Sequence, residues 1–245
     1  MPSINTNYGA AVALQSLNKT SQQLDTTQNR ISTGMKVSSA KDNGAIFAIA
    51  TSQRANAASQ DAVRAGLQRT QSITDVALAA GDSVTSALEE MKSLAVNIAS
   101  STGSAQTAYL ADYNALGLEV ASAISGATFD GVNSLTALGS NAAITAVNTG
   151  SVTAANATAA NVDAAISATT SALATLGTQS KSLGRQITFV NKLQDALEAG
   201  VGNLVDADLA KESAKLTALQ TKQQLGVQAL SIANQGSSIL LSLFR

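Results

Sequence analysis

Apolar side chains recur at three- and four-residue intervals along most of this chain, the signature of long amphipathic helices that pair with other helices. From Ala10 the pattern runs Leu14, Leu17, Leu24, Ile31 and Met35. Within it, Leu17, Leu24 and Ile31 keep the seven-residue spacing of a coiled-coil seam. Gly34 ends this helix, and the polar run Lys36–Gly44 is a connector. A second register links Val63, Leu67, Thr70, Thr74, Ala77, Gly81, Val84, Leu88, Met91, Ala95 and Ile98. Ile46 and Ile49 extend it backwards, which predicts one helix from about Ala45 to Ser100. At 1.5 Å per residue that helix is on the order of 80 Å long, a length that suits a rod or bundle. Gly81 either admits a partner helix closely or divides the helix in two.

A third helix is expected from Gln106 to about Ser125, with Leu110, Leu116, Leu118, Val120 and Ile124 as its apolar set. The character then changes. The turn Phe129-Asp130-Gly131-Val132-Asn133 and β-leaning pieces such as Ala143–Val147 predict one or two hairpins over about 127–160. Residues 137–176 hold 14 Ala and 7 Thr, a bias that marks the segment as low-complexity.

Helical spacing returns with Ile166, Leu173, Leu176, Leu183, Ile187, Val190, Leu197, Val201 and Leu204, where Gly200 and Gly202 suggest a hinge. The last helix opens near Asp206 and Asp208, carboxylates that suit a helix N-terminus. It presents Leu209, Leu216, Leu219 and Leu230, and a second stripe at Leu225, Ile232 and Ile239. The end, Ile239-Leu240-Leu241-Ser242-Leu243-Phe244-Arg245, is too apolar to stand in water, so the rest of the chain or another subunit must cover it. The economical fold is mainly α. The N-terminal helix pairs with the C-terminal one as a coiled coil, and a long-helix bundle with a small β-hairpin region lies between them. One such pair buries too little to be firmly stable alone. Its remaining stripes favour self-association, and head-to-tail contacts that do not close build a filament.

Composition narrows the chemistry. The 245 residues include no Cys, His or Trp and one proline, Pro2, which precedes every predicted helix. Zinc sites of the usual kind, haem ligation by His, Ser-His-Asp triads and disulfides are therefore excluded. Glu89-Glu90 and Asp206-x-Asp208 are the only tempting carboxylate pairs, and neighbours at i+1 or i+2 on a helix point apart, which makes them solvated faces. No phosphate-binding glycine motif is present, so neither an enzyme nor a cofactor is expected. Fifteen basic and sixteen acidic residues give a net charge of −1, with no footprint for nucleic acid. Between Lys92 and Lys181 there is no basic residue at all. No signal peptide or membrane span is evident, which fits a soluble cytosolic protein and equally one exported by a route that cleaves nothing.

Two signatures then stand at the two ends. Ser3–Asn7, Leu24–Met35 (LDTTQNRISTGM) and Ser39–Ala45 (SAKDNGA) resemble the N-terminal signature of bacterial flagellins. Val205–Leu216 (VDADLAKESAKL), Gln220–Gln223, Ala229–Gln235 (ALSIANQ) and the Leu243-Phe244-Arg245 end resemble the C-terminal one. Phe129-Asp130-Gly131 is similar to the turn that opens the family's hairpin region. The resemblance implies a filament subunit of a swimming flagellum, secreted without a cleaved signal through the type III export apparatus and located outside the cell.

Carried onto this sequence, residues 1–35 and 203–245 are the inner coiled-coil domain, 36–44 the spoke, and 45–202 the rod domain, with no outer variable domain. The inner assembly interface comprises Leu14, Leu17, Leu24, Ile31, Leu216, Leu225, Leu230, Ile232, Ile239, Leu243 and Phe244. Of these, Leu225, Ile232, Ile239 and Phe244 drive folding of the ends on polymerisation. The rod-domain seam comprises Val63, Leu67, Val84, Leu88, Met91, Ile98, Leu183, Ile187, Val190 and Leu197.

Implied partners are further copies or sister flagellins, the filament cap, the hook–filament junction proteins, the export chaperone and the export apparatus, with no nucleic acid and no membrane. A junction protein shares such termini and is the alternative. A closed signalling or adhesin coiled coil is a second, and a flagellin-borne metalloprotease needs histidines that this chain lacks. One position departs from the family: Glu90 stands where flagellins seen by the vertebrate innate receptor carry arginine. This charge reversal implies weak receptor activation, and a strong response to purified protein would contradict it.

Overall fold

The computed structural model describes residues 7–243, with side chains over 7–235. Long helices dominate: α1 (Tyr8–Thr33), α2 (Gly44–Ser100), α3 (Gly103–Gly126), α6 (Ala159–Val205) and α7 (Leu209–Leu243). Between α3 and α6 lie a hairpin of β1 (Thr128–Phe129) and β2 (Val132–Asn133) and two single helical turns, α4 (Thr136–Gly139) and α5 (Ala142–Thr145). The chain divides into two compact units, 1–58 with 195–245 and 59–194, so the boundaries fall inside α2 and α6.

In the first unit α1 and α7 run antiparallel. Asn7 caps α1, its Oδ1 accepting from Ala10 N at 3.0 Å, while its Nδ2 donates to Ala233 O at 2.8 Å. At the other end Gly34 takes the left-handed conformation (φ 71°) that closes helices, and its carbonyl accepts from Ala207 N at 2.8 Å. Lys36 N donates to Val205 O at 2.7 Å, next to a β-bridge between Met35 and Asp206. Beneath this junction Val37, Ala50, Val201 and Val205 form a small core. The sequence predicted a hinge at Gly200 and Gly202, but α6 continues unbroken to Val205. Helical geometry there keeps Val201 and Val205 in that core, which outweighs the roughly 1 kcal/mol that each glycine costs a helix. In the connector, Asp42 accepts from the backbone N–H and the hydroxyl of both Ser38 and Ser39. Those bonds, the Ser38 hydroxyl first, hold its carboxyl below the usual carboxylate range, so they support the turn at neutral pH and are lost as pH falls below that range.

The second unit packs α2, α3, α6 and the intervening segment around Val84, Leu88, Met91, Ile98, Tyr113, Val120, Ile144 and Val162. Tyr113 is fully buried; its phenol has no hydrogen-bond partner among the described residues, and burial pushes it up to about 12. Gly81 does not divide α2: the Leu173 side chain occupies the space a Cβ would need. The hairpin turns through Asp130 (φ 50°) and Gly131 (φ 75°), the two left-handed residues of a type I′ turn, and Asp130 pairs with Arg69 at 2.5 Å. The expected β character of Ala143–Val147 is not found. Ile144 and Val147 are both fully buried, the i, i+3 spacing of a helical turn, and Asn141 caps that turn by accepting from Ala143 N at 2.9 Å. Asn114 fixes the following loop to α3, accepting from Val152 N at 2.7 Å and donating to Val152 O at 3.2 Å.

Two glycines in this unit should respond oppositely to alanine. A Cβ at Gly117 meets Val147 O at 2.6 Å, whereas one at Gly184 meets nothing within 4 Å. Gly117→Ala is expected to cost about 1–3 kcal/mol by overpacking against backbone. Gly184→Ala should gain about 0.5–1 kcal/mol from helix propensity. Chemical denaturation followed by circular dichroism checks both, and equal responses would contradict the packing described.

Candidate assembly surface

The α1–α7 pair is built on matching heptads. The residues of α1 turned from solvent follow 10, 13, 17, 20, 24, 27 and 31, and those of α7 follow 212, 216, 219, 223, 226, 230 and 233. Leu24, Leu219, Thr20 and Thr27 are buried, and Leu17 lies against Gly226, where a Cβ would approach Leu17 Cδ1 at 3.3 Å. The predicted stripe Leu17, Leu24 and Ile31 is therefore on the seam, as are Leu216 and Leu230. Pattern reading missed the two threonines because a β-branched hydroxyl residue is not counted as apolar. The strict spacing of positions 20 and 27 was the signal that could have found them.

Polar groups punctuate this seam. Thr20 Oγ1 donates to Ser16 O at 2.9 Å, but Thr27 Oγ1 is buried with no partner among the described residues. Arg30 reaches across to Glu212, with Nη1 3.1 Å from Oε1, and the Glu212 side chain is only 12% exposed. Glu212 Oε2 makes no hydrogen bond among the described residues, and Lys215 Nζ approaches it only to 3.8 Å, an electrostatic contact too long to satisfy the oxygen.

A second group of apolar side chains stays exposed among the described residues. Leu14, Leu225 and Ile232 are 49%, 59% and 70% exposed, and Tyr8, Val12 and Val227 join them. The sequence placed Leu225 and Ile232 on an interface, and they stand off the α1–α7 seam. Ile239, Leu243 and Phe244, named with them, lie outside the residues whose side chains are described. In the second unit Val84, Leu88, Met91, Ile98, Leu183 and Val190 are buried, and Leu67 and Ile187 are half-buried. Val63, expected on the same seam, is instead exposed. Leu197 belongs to the first unit and is half-buried. Glu90 is exposed on α2 and borders a cleft with Asp112 of α3.

Two helices that zip together through one heptad set and still expose Leu14, Leu225 and Ile232 leave apolar surface that a further copy can cover. Residues 4–140 match the bacterial flagellin N-terminal helical region and residues 159–244 the bacterial flagellin C-terminal helical region. The chain is 50% identical to flagellin FljK and 51% identical to flagellin FljN of Caulobacter vibrioides, in each case over 99% of this chain and 98% of the relative. It is 35% identical over its whole length to a flagellin of Brucella melitensis. The chain belongs to the bacterial flagellin family. It is a structural subunit of the extracellular flagellar filament, and full-length similarity to flagellins favours the filament over the junction protein.

Glu212→Ala removes the cross-helix partner of Arg30, whose side chain is half-buried, and should destabilise the α1–α7 pair by about 1.5–3 kcal/mol. Thr27→Val, which keeps the shape and deletes an unpaired hydroxyl, should stabilise it by roughly 1 kcal/mol. Thermal depolymerisation of filaments built from each variant measures both, and a shift of Thr27→Val to lower temperature would contradict the orphaned hydroxyl.

Proposed function

We propose that the uncovered stripe of the terminal helices is the surface through which the filament polymerises. Leu14 with Leu225 and Ile232 meets neighbouring copies, and Leu17, Leu24, Ile31, Leu216 and Leu230 hold the two helices of one copy together. Ile239, Leu243 and Phe244 continue the contact. In this account residues 1–35 and 203–245 act as the inner coiled-coil domain, 36–44 as the spoke and 45–202 as the rod domain, without an outer domain. The role is structural, with no catalysis. The copies add beneath a filament cap, start on junction proteins, and reach the tip with an export chaperone and the export apparatus.

The observation that supports this reading is the exposure of Leu225 and Ile232, 59% and 70%, on a helix whose other side already packs on α1 through Leu216, Leu219 and Leu230. Burying what remains exposed of these two side chains is worth roughly 2–4 kcal/mol, enough to decide whether a copy joins the filament. Seeded polymerisation tests it. Leu225→Ser with Ile232→Ser, and a chain ending at Asn234, should each raise the critical concentration at least tenfold and leave the helicity of 59–194 intact. A truncated chain that polymerises like the parent would overturn the proposal.

A further inference from the structure

The second unit has six basic side chains. Three are neutralised within it: Arg64 by Asp61 at 2.7 Å, Arg69 by Asp130 at 2.5 Å and Lys92 by Asp163 at 2.6 Å. The other three, Lys181, Arg185 and Lys192, all stand exposed on α6 and form no ion pair among the described residues. Arg185, Phe189 and Lys192 follow at i, i+4 and i+7 and so share one face. Phe189 is 64% exposed, in a chain that has only four phenylalanines.

An exposed apolar residue alone is ordinary. What sets this one apart is a counterpart in the same unit. Leu94, Ala115 and Leu116 floor a cleft of about 510 Å³ between α2 and α3, and Ser93, Glu90 and Asp112 complete its lining. Both carboxylates are exposed and lack an ion pair among the described residues. A phenyl ring between two cations is thus matched by an apolar cleft between two anions.

The two features do not meet within one copy. Gly81 packs on Leu173 and Lys92 pairs with Asp163, so α2 and α6 run antiparallel with Phe189 level with about residue 66 of α2. Glu90 is then about 24 residues away, roughly 36 Å along the helix. A contact between different patches at different heights is heterologous. It propagates from copy to copy instead of closing on a two-fold axis, as a filament requires.

We propose that Phe189 of one copy seats in the Glu90–Asp112 cleft of the next, with Arg185 and Lys192 pairing with the two carboxylates. This contact rests on the chain's polymerisation and is separate from the stripe on the terminal helices. The buried ring supplies the apolar anchor, and the flanking charges fix its register.

Because the chain has no cysteine, crosslinking gives a direct test. Filaments of the Phe189→Cys, Ala115→Cys double variant should yield a ladder of covalent multimers on oxidation, while each single variant stays monomeric on a denaturing gel. Reversing the cations (Arg185→Glu with Lys192→Glu) or the anions (Glu90→Lys with Asp112→Lys) should each raise the critical concentration at least tenfold. Combining all four should bring it back to within about threefold of the parent. Absence of the ladder from intact filaments would overturn the contact, as would a four-fold variant no better than the worse reversal. Since the parent filament forms in both cases, neither result would touch the terminal-helix stripe.

Discussion

The rest of this structure depends on a mismatch in the terminal helices, which carry more apolar surface than they can bury against each other. The α1–α7 seam consumes one heptad set, centred on Leu24 and Leu219. Leu14, Leu225 and Ile232 are left over. Covering each of these half- to two-thirds-exposed side chains is worth roughly 1–2 kcal/mol. Under the proposed assembly, another copy supplies that cover, so the next subunit would complete the fold of this one.

The seam itself is tuned to be weak. Two of its buried positions are threonines, and among the described residues one of their hydroxyls and Glu212 Oε2 have no hydrogen-bond partner. Each such group subtracts from a helix pair whose stability alone is marginal. The same polar groups restrict the register, because sliding α1 by a turn would separate Arg30 from Glu212. A pair that is weak alone but strict in alignment is suited to the proposed coupling of its folding to assembly. The second unit is different: its core of fully buried apolar side chains around Leu88, Met91 and Tyr113 supports stable folding without a partner.

The long helices were legible in the sequence because their registers run for many turns without a proline, and α2 begins and ends within a residue of expectation. The seam leucines followed from the same periodicity. Short elements were harder. Ile144 and Val147 sit three apart, which a single helical turn and a ragged strand both tolerate, and tertiary burial decided for the turn. Gly200 and Gly202 looked like a hinge because local propensity was weighed without the Val201–Val205 core that overrides it. Val63 continues its heptad on paper yet is exposed, while Leu67 one turn on is half-buried, since apolar spacing marks a face without fixing how deeply each position sits. The Arg30–Glu212 pair was beyond reach, being 182 residues apart in the chain and visible only once α1 and α7 are aligned.

The central claim is that the leftover stripe is covered by neighbouring copies, and thiol labelling of Ile232→Cys tests it most directly. The chain has no competing cysteine, so the label reports that position alone. Rapid modification in the monomer and protection of at least a hundredfold in the filament are expected, with a control cysteine at exposed Ser140 reacting in both. Equal labelling of Ile232→Cys in monomer and filament would contradict it.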